Sequence, residues 1–318
     1  MKKIRTFGKY LKEKYGFRVK KIPLAIGGFT CPNIDGSVAK GGCTFCLNDS
    51  FSPNLAKNKD KIFLNLNSKE NPILNKQIAQ VILQIKQNKL QFQKKLKIKK
   101  YIAYFQAFTN TYAPFDTLKT LYETALNQKD IIGISIGTRS DSVEDEVLEY
   151  LSELSKTKEV WIEFGIQSTF DETLKRINRG HDVKSIKDAI KRAKRYNLNV
   201  CGHLIFGLPG ENKEMMLKSA YESYEMGIDS VKFHPLYVVK NTILANEYLR
   251  GEFKPISMQE YIDVLVEAID MMPKEIIIQR VTAGIKDSSL LAPSWCGEDK
   301  NYQMAQIKKA LRRRGYVY

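Results

Sequence analysis

Six short apolar runs rich in β-branched residues recur along the chain, at 22–26, 100–105, 131–136, 160–166, 200–206 and 230–234. Between them the apolar residues return every three or four positions: Leu74, Ile78, Val81, Ile82 and Ile85; Leu118, Leu121, Tyr122 and Ala125; Val147, Leu148, Leu151 and Leu154; Ile186, Ala189, Ile190 and Ala193. The first pattern is that of strands buried on both faces, the second of helices with one core-facing stripe. Strands of this kind alternating with helices pair in parallel through helical crossovers, and six such units curl into a partial TIM-type (β/α)6 barrel of the α/β class.

Length limits what surrounds that barrel. The 318 residues hold one barrel-sized domain and a small addition. We divide them into a basic lead-in at 1–20, a core at 21–240 and a C-terminal extension at 241–318. Within the extension, Ser257-Met-Gln-Glu260 predicts a capping box and a helix start. A strand-like run at 275–280 and a basic terminal helix follow. No apolar run has membrane-spanning length, and no charged-then-apolar leader opens the chain, so a cytoplasmic protein is expected.

A barrel of parallel strands carries its chemistry at the strand C-terminal ends. Polar residues concentrate there. Three cysteines follow the first strand, Gln106 and Asn110 the second, Thr138 and Arg139 the third, and Gln167 and Ser168 the fourth; His203 lies in the fifth and His234 ends the sixth.

The cysteines, Cys31, Cys43 and Cys46, are spaced C-x11-C-x2-C. Three thiolates on an iron–sulfur cubane leave one iron open to bind a small molecule. A structural zinc site needs four close ligands, and no histidine precedes His181. A redox pair of Cys43 and Cys46 gives Cys31 no role. Five cysteines do not pair evenly, which argues against disulfides. The zinc and redox readings stay open as alternatives.

The loop ending CTFC resembles the cluster loop of the radical S-adenosylmethionine (SAM) superfamily, and its long first gap resembles the elongator-type branch. YFQAFTNTYAP at 104–114, SIGTRSD at 135–141, EFGIQS at 163–168, NRGH at 178–181, HLIFGLPGE at 203–211 and VKFHPLYV at 231–238 resemble the same branch. Together they cover about residues 15–285, and the subgroup resembled is the small bacterial YhcC-like one. The resemblance implies a [4Fe-4S] cluster on the three cysteines, SAM on the open iron, and reductive cleavage to a 5'-deoxyadenosyl radical that abstracts hydrogen from a substrate. It implies Phe45 against the adenine, Gln106 and Asn110 near the methionine amino group, and Gln167 and Arg179 on the ribose and carboxylate. It also implies an electron donor such as flavodoxin or ferredoxin.

Other residues are read singly. Glu163, in an apolar strand, needs a cationic or hydrogen-bonded partner. His203 stands where related enzymes often carry an acid, and is either a catalytic residue or a satisfied core histidine. Cys201 reads as a small buried hydrophobe. Cys296, in the polar stretch 293–298, is a candidate hydrogen-atom donor. The GLPGE turn at 207–211 lacks the Walker pattern and reads as a strand-to-helix connection with Glu211 at the helix start.

The 51 basic residues outnumber the 35 acidic ones, for a net charge of +16, which favours a polyanionic partner. The excess gathers at 2–21, 86–100, 184–195 and 308–314, with Tyr302, Tyr316 and Tyr318 near the last for base stacking. Elongator-type relatives modify the wobble uridine of tRNA, so a tRNA base is the leading substrate class. The chain has no room for their acetyltransferase domain, and acetyl transfer is not expected. The alternatives are a radical SAM enzyme on a small molecule, of the porphyrin-oxidising kind, and a non-catalytic metal-stabilised RNA-binding protein.

Overall fold

Each apolar run becomes a strand and each neighbour in sequence becomes a neighbour in space. The structure, a computed structural model, describes residues 2–47, 62–285 and 288–318. Seven strands form one sheet in chain order: β1 (Val19–Leu24), β2 (Lys100–Phe105), β3 (Ile131–Thr138), β4 (Glu159–Gln167), β5 (Asn199–Phe206), β6 (Ser230–Pro235) and β7 (Ile277–Arg280). All adjacent pairs are parallel. The six expected units are present, and the strand-like run of the extension adds β7 beyond them. The sheet is therefore a seven-stranded arc with two edges, β1 and β7.

Both edges are managed. Pro23 sits in β1, where a missing N–H is tolerated because the strand is an edge. The outer side of β7 is covered by the N-terminal segment, through Ile278 N to Arg5 O at 2.9 Å. Lys21 Nζ of β1 donates to Gln279 Oε1 of β7 at 2.6 Å, tying the edges together through the barrel interior.

Helix α1 (Phe7–Tyr15) fills the barrel's lower mouth. Phe7 and Tyr10 meet Trp161 edge-on, with ring centroids 5.4 and 5.9 Å away. Glu159, buried at the start of β4, accepts from Tyr10, Lys14, Tyr15 and Trp161 at 2.6–3.0 Å. Five helices pack outside the arc with buried stripes: α2 (Leu74–Leu96), α3 (Phe115–Leu126), α4 (Asp145–Ser155), α6 (Val183–Arg195) and α7 (Lys213–Glu225); the short α5 (Asp171–Arg176) precedes α6.

One stripe differs from expectation. In α2, Val81 and Ile85 are buried but Ile82 is exposed, and Gln77 and Gln84 take buried places. The chain leaving β1 has no ladder partner there, so its backbone groups need side-chain amides. Gln84 bonds both the N–H and the carbonyl of Ala25, at 2.9 and 2.8 Å, and Gln80 and Gln77 do the same for Gly27 at 2.9 and 2.7 Å.

The extension wraps the β7 side. Helix α8 (Ile243–Leu249) is followed by α9 (Met258–Asp270), which starts with the expected capping box between Ser257 and Glu260. Leu290–Ala292 pairs antiparallel with Val238–Val239, a 3-10 turn spans Ser294–Gly297, and α10 (Lys300–Arg313) closes the extension. Tyr316–Val317 then pairs with Lys2–Lys3. Cys296 is 1% exposed, so the stretch expected to be a polar loop is a turn that buries Trp295 and Cys296. No helix among the described residues is long and apolar enough to cross a membrane.

Candidate active site

Side chains of β4 alternate into the barrel, and the third inward one is Glu163, 0% exposed. A carboxylate there is tolerable only with its oxygens saturated. Oε1 accepts from Lys21 Nζ and Ser135 Oγ, each at 2.5 Å; Oε2 accepts from His203 Nε2 at 2.7 Å and from Lys232 Nζ. Burial alone would raise the Glu163 carboxyl, but Lys21 and Lys232 hold it well below the usual carboxylate range. The same burial lowers Lys232 to about 8 and, together with Lys232, lowers His203 to about 4. His203 is therefore neutral at pH 7, and this polar layer forms the floor.

Above the floor lies a cavity of about 680 Å3. Its lining includes Cys31, Cys43, Phe45, Cys46, Gln106, Gln167, Arg179, His203 and Cys296, so the predicted site residues converge on one space. Asn110 is the exception. It is 0% exposed, its amide donates to Gly137 O at 2.8 Å, and Thr109 lines the wall in its place. Cys201, fully buried below, behaves as a core residue whose thiol burial pushes up to about 12.

The cysteine loop is held by the NRGH segment. Asn178 Nδ2 donates to Lys40 O and Gly42 O at 3.0 and 2.7 Å, and Asn33 Nδ2 donates back to Asn178 O. Thr44 N donates to Ile177 O at 3.0 Å. Gly180 has φ +77, and a Cβ there would lie 2.2 Å from Asn33 Oδ1, so only glycine lets the segments approach this closely.

The donor set fits a metal cluster. Burial, then Cys43 and Cys31, push the Cys46 thiol up, because crowded thiolates repel one another unless a cation neutralises them. Arg179 Nη1 lies 3.6 Å from Cys43 Sγ and Arg139 Nη1 lies 3.9 Å from Cys31 Sγ, so both guanidinium groups face the sulfurs. Arg139 is paired with Asp141 at 2.6 Å. Arg179, 7% exposed, has no acidic partner among the described residues; its Nη2 donates to Gly165 O at 2.9 Å and its Nε is left without one. Gln167 stands beside it with φ +67 and an unpartnered Oε1. A Cβ at Gly165 would meet Arg179 Nη2 and Gln167 Nε2, each at 2.8 Å. An Arg fork and an open amide side by side suit a ligand bearing a carboxylate and hydroxyls.

Three features went unread in the sequence. Lys21 and Lys232 reach Glu163 from 142 and 69 residues away. Arg280 and Lys300 join the far wall. Glu211 turns away from the helix start: its carboxyl accepts from Ser168 Oγ, and burial raises it to about 7. An acid directly after a GLPG turn was the one visible signal for it.

Residues 37–220 match the Radical SAM superfamily and residues 228–313 match its C-terminal domain. The chain is 36% identical over 315 residues to Protein YhcC of Escherichia coli, covering 99% of this chain and 94% of that protein. It is 33% identical over 157 residues to a tRNA uridine(34) acetyltransferase of Methanocaldococcus infernus, covering 48% of this chain and 29% of that one. The solved structure of Elp3 from that organism superposes with a TM-score of 0.59 at 21% identity, covering 93% of this chain and 63% of that one. The chain belongs to the radical SAM superfamily, in a YhcC-like subgroup, and is an enzyme that uses a [4Fe-4S] cluster and SAM.

Proposed function

We propose that Cys31, Cys43 and Cys46 hold the cluster and that the cavity beside them is the reaction site for modification of a base in tRNA. When bound, the cluster and SAM supply a 5'-deoxyadenosyl radical that takes hydrogen from the substrate. The chain's own residues bind and exclude water. Arg179 receives the methionyl carboxylate through two parallel N–H donors, and Gln167 takes the ribose hydroxyls. Phe45 and Gln106 line the SAM side, and Asn110 acts from behind the wall by holding Gly137 O. His203, neutral and fixed on Glu163, positions the floor. Cys296, whose thiol burial raises to about 12, is kept as the thiol and is the candidate hydrogen donor. An external one-electron donor such as flavodoxin or ferredoxin completes the reaction, and the cytoplasm is its setting.

The observation that carries the tRNA reading is a stripe on α6. Lys184, Lys187, Lys191 and Arg195 recur at helical spacing, all are exposed, and none has an acidic partner among the described residues. A polyanion is the fitting occupant of such a face. The similarity to tRNA uridine(34) acetyltransferases supports the same choice. The basic C-terminal end contributes less than its sequence implies: Tyr316 is buried with its hydroxyl on Asp270 at 2.7 Å, while Tyr302 is 50% exposed.

The test compares modified nucleosides in tRNA from cells with and without the gene. Loss of one nucleoside, restored by the wild-type gene and not by Cys43→Ser, supports the reading. An unchanged profile contradicts the substrate and leaves the SAM chemistry standing.

A further inference from the structure

The half of the cavity opposite the cysteine loop is walled by the C-terminal extension, through Arg280, Thr282, Gly284, Cys296, Lys300 and Gln303. This wall is firmly built. Gln303, 2% exposed, donates to Trp295 O and Glu298 O at 3.2 and 3.1 Å and accepts from Thr282 Oγ1. A Cβ on Gly284 would lie 2.1 Å from Cys296 O, so residues 282–285 lie flat against the 3-10 turn. Gln303 thereby fixes the first turn of α10, which begins at Lys300.

The register of β7 against β6 slips between Val231 and Lys232, which pair with Ile278 and Arg280. Such a slip lets consecutive residues face the same side. Gln279 bonds Lys21 and Ser230 inside the barrel, at 2.6 and 2.8 Å, and Arg280 also turns inward to line the cavity. Several other guanidinium groups have acids: Arg139 has Asp141, Arg176 has Glu247, Arg192 has Asp145, Arg250 has Glu252 and Arg314 has Asp270. Neither Arg280 nor Lys300 has a carboxylate at ion-pair distance among the described residues. Glu298 lines the same wall, but at its exposed rim. His234, which lines the cavity from the neighbouring strand, has an Nε2 with no partner.

We propose that Arg280 and Lys300, with His234 beside them, bind an oxyanion of the substrate, a phosphate or a carboxylate. Two neighbouring cations with no counter-charge, walling a cavity, call for an anion from outside the chain. The carboxylate of SAM is not that anion. Gly165, which receives Arg179, is in β4 and Arg280 is in β7, three strands further round the arc, so the two guanidinium groups enter the cavity from different walls. Partial burial first, and then Arg280 and Lys20, lower the basicity of the Lys300 amine, as expected where cations crowd one side of a cavity. The inference rests on this cavity being the reaction site, and it does not depend on the substrate being tRNA.

Calorimetric titration of the SAM-loaded, cluster-containing protein with uridine 5'-monophosphate, succinate and uridine tests it. We expect uridine monophosphate, succinate or both to bind at least about tenfold more tightly than uridine in the wild type. Arg280→Gln and Lys300→Gln remove that preference, Arg280→Lys keeps part of it, and all three leave SAM affinity within about twofold. Preference for the nucleotide alone assigns the oxyanion to a nucleic-acid phosphate; preference for succinate alone assigns it to a small-molecule carboxylate. Equal binding of all three probes by the wild type overturns the proposal. So does a preference that survives both glutamine variants, or a parallel loss of SAM affinity. Lys300 is exposed at a helix start, so Lys300→Gln tests the site even if Arg280→Gln fails to fold. Anion preference with an unchanged tRNA nucleoside profile would refute the tRNA reading and leave this site intact.

Discussion

Glu163 and Gln167 lie four residues apart on β4, both face the barrel interior, and they meet opposite surroundings. Each oxygen of Glu163 accepts two hydrogen bonds, three of the four donors being basic side chains. The Gln167 carbonyl has no partner, and the neighbouring Arg179 Nε has none either. Saturation on this scale marks Glu163 as a support of the fold, because each orphaned buried group costs roughly 1–3 kcal/mol. Groups left open at that cost mark where a ligand completes the structure. The saturated floor therefore reads as a structural layer, and the cavity above it, with open donors and acceptors, is the part we propose binds ligand.

Breaking the open region should abolish chemistry and spare the fold. Cys43→Ser is expected to lower iron content and reduce 5'-deoxyadenosine release on the order of 10³-fold or more, with the urea midpoint of the metal-free protein unchanged. Breaking the floor should do the reverse. Glu163→Gln leaves Lys21 and Lys232 without their counter-charge and should cost about 3–5 kcal/mol in urea unfolding.

Acid sharpens the contrast. The histidines His203 and His234 are held below their ordinary value, by burial first, His203 to about 4. Between pH 6.5 and 4 the unfolded chain binds protons that the folded one refuses, so stability falls as pH falls through that window. The His203 share is on the order of 3 kcal/mol. His203→Gln should flatten the slope, and an unchanged slope would show that the floor does not exclude the proton. Arg179→Lys keeps the charge but loses the fork, and should weaken SAM binding about tenfold at unchanged unfolding free energy. At the small end, Ile82→Ser lies on the exposed face of α2 and should shift stability by less than about 0.5 kcal/mol.

Much of this was legible in the sequence. Apolar periodicity located six strands to within a few residues, and the cysteine spacing located the loop. What escaped was long-range pairing and local re-aiming. Nothing near Glu163 in sequence announces Lys21 or Lys232. The register slips between Gly165 and Gln167 and beside Arg280 turn side chains in ways that alternation cannot foresee. Helix α2 misled because its buried face has to satisfy the backbone leaving β1, so glutamines hold places that periodicity assigned to Ile82. Asn110 showed the same limit: strand-end position placed it near the cavity, while its bond to Gly137 O fixed it behind the wall.

The central claim is that a three-thiolate cluster beside Arg179 and Gln167 leaves one iron for SAM. Protein purified and reconstituted without oxygen, then reduced, tests it directly by iron content and by 5'-deoxyadenosine released from SAM. About four irons per chain and steady release, both lost in Cys43→Ser, are the predicted result. Bound zinc, or a full complement of iron with intact SAM after reduction, would contradict it.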